Sequence, residues 1–229
     1  MNQKFKRFCD KKYEDPNYYK EINPDKLTSD ITILLGPNGS GKSMSFRSLE
    51  SYFKNNNIEC LTYSNKRNDI VNTCVDFDIT KLICAFHSEG ERIKDSIYEF
   101  SGSHFVNKLL SNEKDIYVLM DELDSGLSID SLLNLISEYI QVITLEKYKH
   151  PERTVKLVFS CNSYEMLHSF YITLDEVKND PLFYNYKGYI PEINLIWVPT
   201  MEYIHVSSYD DFIKRYMDYR NYMKNKEDK

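Results

Sequence analysis

The sequence predicts an α/β fold, a mostly parallel sheet flanked by helices with small antiparallel additions at its edges. Three observations predict it. A run of β-branched and aliphatic residues, Ile31 to Leu35, ends in the G-x-x-x-x-G-K-S pattern of Gly36 to Ser43 and passes directly into helical spacing. A second run, Asp115 to Glu122, is an apolar strand that ends in two adjacent carboxylates. Around them strand-like and helix-like stretches alternate, as they do where parallel strands are joined by helical crossovers.

Composition bounds the reading. A chain of 229 residues is long enough for one such domain with a substantial core. We read it as single over 1–229: an N-terminal segment (1–30), a motif-bearing core (31–165) and C-terminal strands with a helix (166–229). Lys and Arg total 29 against 35 Asp and Glu, a net charge of −6, so the molecule offers no general basic field to nucleic acid. Cys9, Cys60, Cys74, Cys84 and Cys161 lack paired spacing, which argues against a disulfide framework or a zinc site. No apolar run approaches the roughly 18 residues that span a bilayer, and the polar N-terminus is unlike a signal peptide, so the expected location is the cytoplasm.

Taken in order, Lys4 to Phe8 reads as a first strand. Tyr18 or Tyr19, upstream of the loop, is the candidate to stack on a nucleotide base, against the plainer reading of a tyrosine in a Tyr-rich surface segment. Asn23-Pro24-Asp25 signals a turn. The strand from Ile31 then delivers Gly36-Pro37-Asn38-Gly39-Ser40-Gly41-Lys42-Ser43, which reads as a phosphate-binding loop. Phosphate oxygens carry dense negative charge, so backbone N–H groups must converge on one point. Side chains at Gly36, Gly39 and Gly41 would obstruct that approach. Lys42 supplies a point charge, the Ser43 hydroxyl can hold Mg²⁺, and the helix through Met44 aims its positive end at the same anion.

Phe46, Leu49 and Phe53 space a helix to about Lys54, which Asn55-Asn56-Asn57 breaks before a strand from Ile58 to Tyr63. Helix then strand suggests a parallel βαβ unit. Asn65-Lys66-Arg67-Asn68 lacks the acidic residue that would select guanine. Ile70 to Phe77 reads as a further strand. Ser88 and Glu91 form a capping box at the start of a helical stretch running through Leu110, and an exposed helix start can bind an anion.

In the second motif Asp121 would hold Mg²⁺ through water, while Glu122 orients the attacking water and takes its proton. An amphipathic helix follows Leu123 to Asp130 and runs through about Leu145. Lys147 to Arg153 reads as a charged linker, and Thr154 to Ser160 as a buried strand ending at Cys161-Asn162-Ser163. Ile193 to Val198 and Tyr203 to Val206 look like a hairpin at the sheet's far edge, and the tail from Asp210 is a helix with a frayed end.

With these motifs in order, the chain resembles the ABC-type ATPases, and within them the soluble chromosome-maintenance and recombination-repair branch with its small bacterial and phage relatives. The resemblance spans roughly 31–165. It implies a P-loop NTPase fold, ATP and Mg²⁺ as cofactors, and Lys42, Ser43, Asp121 and Glu122 as the residues of the two Walker motifs. Ser88, Gly90 and Glu91 fall where the signature sequence of the family would lie, with His87 and Glu89 departing from it; Phe100-Ser101-Gly102-Ser103 is a competing placement. Ser125-Gly126-Leu127 resembles the D-loop, with Ser128 in place of its usual Asp. Asn162 stands at the position of the switch histidine, where an amide can bridge but cannot titrate. No glutamine matching the Q-loop is evident, and the interval between the Walker motifs is too short for a coiled-coil arm.

The leading expectation is therefore Mg²⁺-dependent ATP binding and hydrolysis with closure as a head-to-tail homodimer, Lys42 of one subunit and Ser88 to Gly90 of the other meeting one γ-phosphate. DNA or a partner protein is the expected object of that closure, and a membrane is not. The alternatives are a non-hydrolysing ATP-dependent switch, a P-loop small-molecule kinase, whose arginine-rich lid this chain lacks, and a transporter ATPase subunit.

Overall fold

A computed structural model describes residues 22, 24–64, 105, 107–111, 114–124, 127–179 and 189–227. Six strands and five α-helices lie among them: β1 (Ile31–Leu35), α1 (Lys42–Asn55), β2 (Glu59–Ser64), α2 (Asn107–Ser111), β3 (Ile116–Asp121), α3 (Ile129–Lys149), β4 (Val155–Cys161), α4 (Tyr164–Asn179), β5 (Ile193–Trp197), β6 (Glu202–Ile204) and α5 (Tyr209–Glu227). The strands form one sheet in the order β2-β3-β4-β1-β5-β6. All neighbours pair in parallel except β6, which runs antiparallel to β5 at the edge.

Strand alternation sorts the core into two layers. Ile31, Ile33 and Leu35 face one side with Val118, Leu157, Phe159 and Cys161, where α3, α4 and α5 cover them. Leu34, Leu119, Val158 and Ile196 face the other, against Phe46, Leu49 and Phe53 of α1. That stripe on α1 is the one its sequence spacing predicts. Each such fully buried side chain contributes about 1.5–3 kcal/mol. The helix stops in the asparagine run because Asn57 adopts φ 55°, a left-handed turn that Asn tolerates. Asn57 N–H then donates to Lys54 O and Ile58 N–H to Phe53 O, closing the last turn.

β1 and β2 are parallel strands of the one sheet, as expected of a βαβ unit, with β3 and β4 between them. Helix α4 is an addition to the expected elements. Of the charged linker expected at Lys147 to Arg153, Lys147 to Lys149 belong to α3 and His150, Pro151 and Glu152 are exposed, but Arg153 is 5% exposed and its Nη1 lies 2.8 Å from Glu146 Oε2. Arg153 also donates to Leu109 O at 3.0 Å and Lys114 O at 2.9 Å, tying α2, the entry to β3 and the end of α3 together. Removing either partner would strand a buried charge, at a cost of about 3–5 kcal/mol. The antiparallel pair expected at the sheet's far edge is β5 and β6, with β6 outermost and β5 beside β1. The strand expected at Lys4 to Phe8, that at Ile70 to Phe77 and most of the helix expected from Ser88 lie outside the described residues. No helix among the described residues is long and apolar enough to cross a membrane.

Candidate functional site

Parallel strands bring their C-terminal ends to one edge of the sheet. Register aligns Leu35 with Cys161 on one side and Trp197 on the other, and Met120 with Phe159. The glycine loop after β1, the carboxylates ending β3 and Asn162 after β4 therefore share that edge, where open α/β sheets bind ligands.

In the loop, Ser40 N–H donates to Pro37 O at 3.0 Å. Gly39, third residue of that turn, has φ 80°, as a type II turn demands. Gly41 caps α1 at φ 102° with no side-chain hydrogen bond to the first turn. A Cβ at either glycine would meet nothing within 4 Å, so their protein-side requirement is backbone conformation and not space. At Gly36 crowding rules: a Cβ there would lie 2.6 Å from Ser40 Oγ and 3.2 Å from Pro199 Cδ. Pro37 is half-buried, Asn38 exposed, and Ser43 and Met44 half-buried in the first turn of α1. That turn leaves its leading N–H groups without a side-chain cap, an arrangement that favours an anion.

Lys42 is 6% exposed, and its ammonium donates to Gly36 O and, at 3.1 Å, to Pro37 O. Burial pulls its pKa below the ordinary 10.5. Cys161, Asp124, Asp121 and Glu122, in that order, act to raise it. Burial keeps the Cys161 thiol far above its usual range and so neutral, which leaves Asp124 as the foremost charge holding the ammonium.

Asp121 is 6% exposed, and its Oδ1 accepts from Ser160 Oγ at 2.6 Å. The same hydroxyl accepts from Glu122 N–H at 2.7 Å. Glu122 has φ 58°, a left-handed conformation of a non-glycine residue that costs on the order of 1–3 kcal/mol and clusters at functional sites. Asn162 N–H and Ser163 N–H both donate to Asp124 Oδ2 at 2.9 Å, and Asn162 Nδ2 donates to Asp124 Oδ1 at 3.3 Å. Ser163 in turn caps α4 by accepting from Met166 N–H at 3.3 Å.

The structure thus gathers Gly36 to Met44, Asp121, Glu122 and Asn162 at one edge. Tyr19, Ser88, Gly90 and Glu91, together with Ser101 to Ser103, Ser125 and Gly126, lie outside the described residues. Ser128, at the position of the D-loop acid, serves the helix that follows it, because its Oγ accepts from Ser131 N–H at 3.3 Å and caps α3. Sequence reasoning missed Ser160 and Asp124. A lone hydroxyl in the otherwise apolar run Leu157 to Cys161 was a usable signal for the first; nothing local marked the second. Chemically, the edge offers a cation and uncapped N–H groups for an anion, one buried carboxylate, and a second carboxylate whose backbone is held in place. Comparison with known proteins returned no matching family model and no matching curated protein.

Proposed function

We propose that the chain is a P-loop ATPase of the ABC type, which binds and hydrolyses ATP with Mg²⁺ and closes as a head-to-tail homodimer. The observation that carries the reading is the meeting of Lys42, Asp121, Glu122 and Asn162 at the C-terminal ends of three adjacent strands, with β4 between the loop strand and the acidic strand. The uncapped start of α1 and the Lys42 ammonium suit the triphosphate. Reaching a phosphate, Lys42 would exchange its bonds to Gly36 O and Pro37 O for a phosphate oxygen.

The donors fit Mg²⁺. No group of three or more His, Cys, Asp or Glu among the described residues is placed to hold a metal alone. Mg²⁺ does not ask for that, since it keeps several waters and takes one or two carboxylates or hydroxyls plus phosphate oxygens. Ser43 and Asp121 are hard oxygen donors of that type, and bound Mg²⁺ would neutralise charge on the phosphates. Glu122 then takes the proton of the attacking water. Its N–H bond to Ser160 holds it at the strand end while Lys42 carries the countercharge.

A non-hydrolysing ATP switch is the second reading, favoured by Asn162, whose amide is engaged by Asp124 and cannot titrate. The object of closure is a DNA-related or partner-protein process in either case. A calorimetric titration with MgATP tests the shared core of both: wild type binds, Lys42→Ala does not, and the variant melts cooperatively. Equal affinity in the two proteins sinks the assignment. Release of phosphate by wild type, lost in Glu122→Gln, separates the ATPase from the switch.

A further inference from the structure

Helix α5 comes late in the chain and carries no motif, yet one of its side chains reaches the glycine loop. β5 pairs with β1 so that Trp197 stands level with Leu35, and Val198 N–H continues the ladder to Leu35 O at 2.9 Å. The segment after β5 thus lies against Gly36, with Pro199 Cδ in the space a Cβ there would need. The Tyr216 ring stacks on Phe212 at 4.4 Å and meets Trp197 edge-on at 5.3 Å. Those contacts hold the ring against Trp197, the residue level with the end of β1. Its hydroxyl oxygen is buried and has no hydrogen-bond partner among the described residues. Burial raises the Tyr216 pKa, with Cys161 and Asp124 adding to it. The Gly36 backbone opposes, although it offers the hydroxyl no hydrogen bond of acceptable geometry.

Two side chains therefore converge on Gly36 from different elements. Lys42 Nζ bonds its carbonyl, Tyr216 Oη lies beside its backbone, and both feel the charge of Asp124. A buried hydroxyl without a partner is costly to keep, whereas a charge-assisted bond to a phosphate oxygen would satisfy it. A structural tyrosine at this point would be served as well by phenylalanine. We propose that the Tyr216 hydroxyl is a second donor to the phosphate that Lys42 binds, so that α5 forms part of the nucleotide site. This rests on the nucleotide reading above.

Trp197 is the single tryptophan of the chain, and its contact with Tyr216 makes it a built-in reporter. The test titrates wild type, Lys42→Ala and Tyr216→Phe with MgATP, following Trp197 fluorescence and confirming affinity by calorimetry. Wild type responds and Lys42→Ala does not. Tyr216→Phe keeps the ring packing and loses one oxygen. It therefore melts at or above the wild-type temperature without ligand, yet binds MgATP about tenfold more weakly. Wild-type affinity in Tyr216→Phe overturns this proposal and leaves the nucleotide reading standing. An unliganded Tyr216→Phe that melts several degrees below wild type also overturns it, because the hydroxyl would then be serving the fold. No MgATP binding by wild type in either measurement overturns the nucleotide reading and this proposal together.

Discussion

The hydroxyl of Ser160 stands 2.6 Å from Asp121 Oδ1 and accepts the Glu122 N–H at 2.7 Å, so one side chain of β4 holds both acidic residues that end β3. Ser160 is fully buried. Ser160→Ala would leave the Glu122 N–H and a buried carboxylate oxygen short of a partner, costing about 1–3 kcal/mol of stability. It would also free the Glu122 backbone to leave φ 58°. We expect a lower denaturation midpoint in urea and a fall in ATP turnover larger than any change in MgATP affinity. Turnover equal to wild type would show that this anchor is not needed for the chemistry.

Lys42 gives a pH signature. Its folded-state pKa is depressed from 10.5 by burial, so the unfolded chain binds the proton more tightly. Stability from this residue therefore rises as pH climbs from the depressed value to 10.5, where the folded ammonium has already been discharged. Lys42→Met removes the titration. The stability of wild type relative to Lys42→Met, measured by denaturant melts without nucleotide between pH 7 and 10, should increase with pH. A difference that is flat or falls over that range contradicts the burial argument.

Glu122 tests chemistry and assembly together. Glu122→Gln makes the same backbone demand at this left-handed position and holds the shape of the side chain, but an amide cannot accept the proton of water. The variant should melt like wild type, bind ATP and hydrolyse it slowly, by a factor of order 10²–10⁴ if the general-base role is right. Trapped with MgATP it should scatter light as a dimer, return to monomer with ADP, and fail to dimerise when Ser88→Arg is added. A monomer at saturating MgATP would end the head-to-tail mechanism.

The legible part of the site was local. Loop residues Gly36 to Ser43 had to follow a strand and open a helix, and they do, because apolar alternation before them and the Phe46, Leu49 and Phe53 stripe after them are periodic over a few residues. For the glycines the structure adds reasons on the protein side. Gly39 and Gly41 are needed for positive φ, and Gly36 for the closeness of Ser40 and Pro199. Arg153 misled because a charged stretch reads as solvated, and its burial depends on Glu146, Leu109 and Lys114 meeting it from three elements.

By itself the sequence determined which segments are β1, α1, β2, β3, α3, β4, β5, β6 and α5, and that a cation and two carboxylates end up at strand ends. Hydrophobic period and loop chemistry act over a turn or a pleat, so they are written locally. Only the tertiary structure decided that β4 enters between β1 and β3, that β5 lies on the other side of β1, and that α5 folds back over both. Those choices come from pairing strands far apart in the chain and from closing two apolar layers at once. They are what put Ser160 under Asp121, Asp124 against Asn162, and Tyr216 beside Gly36.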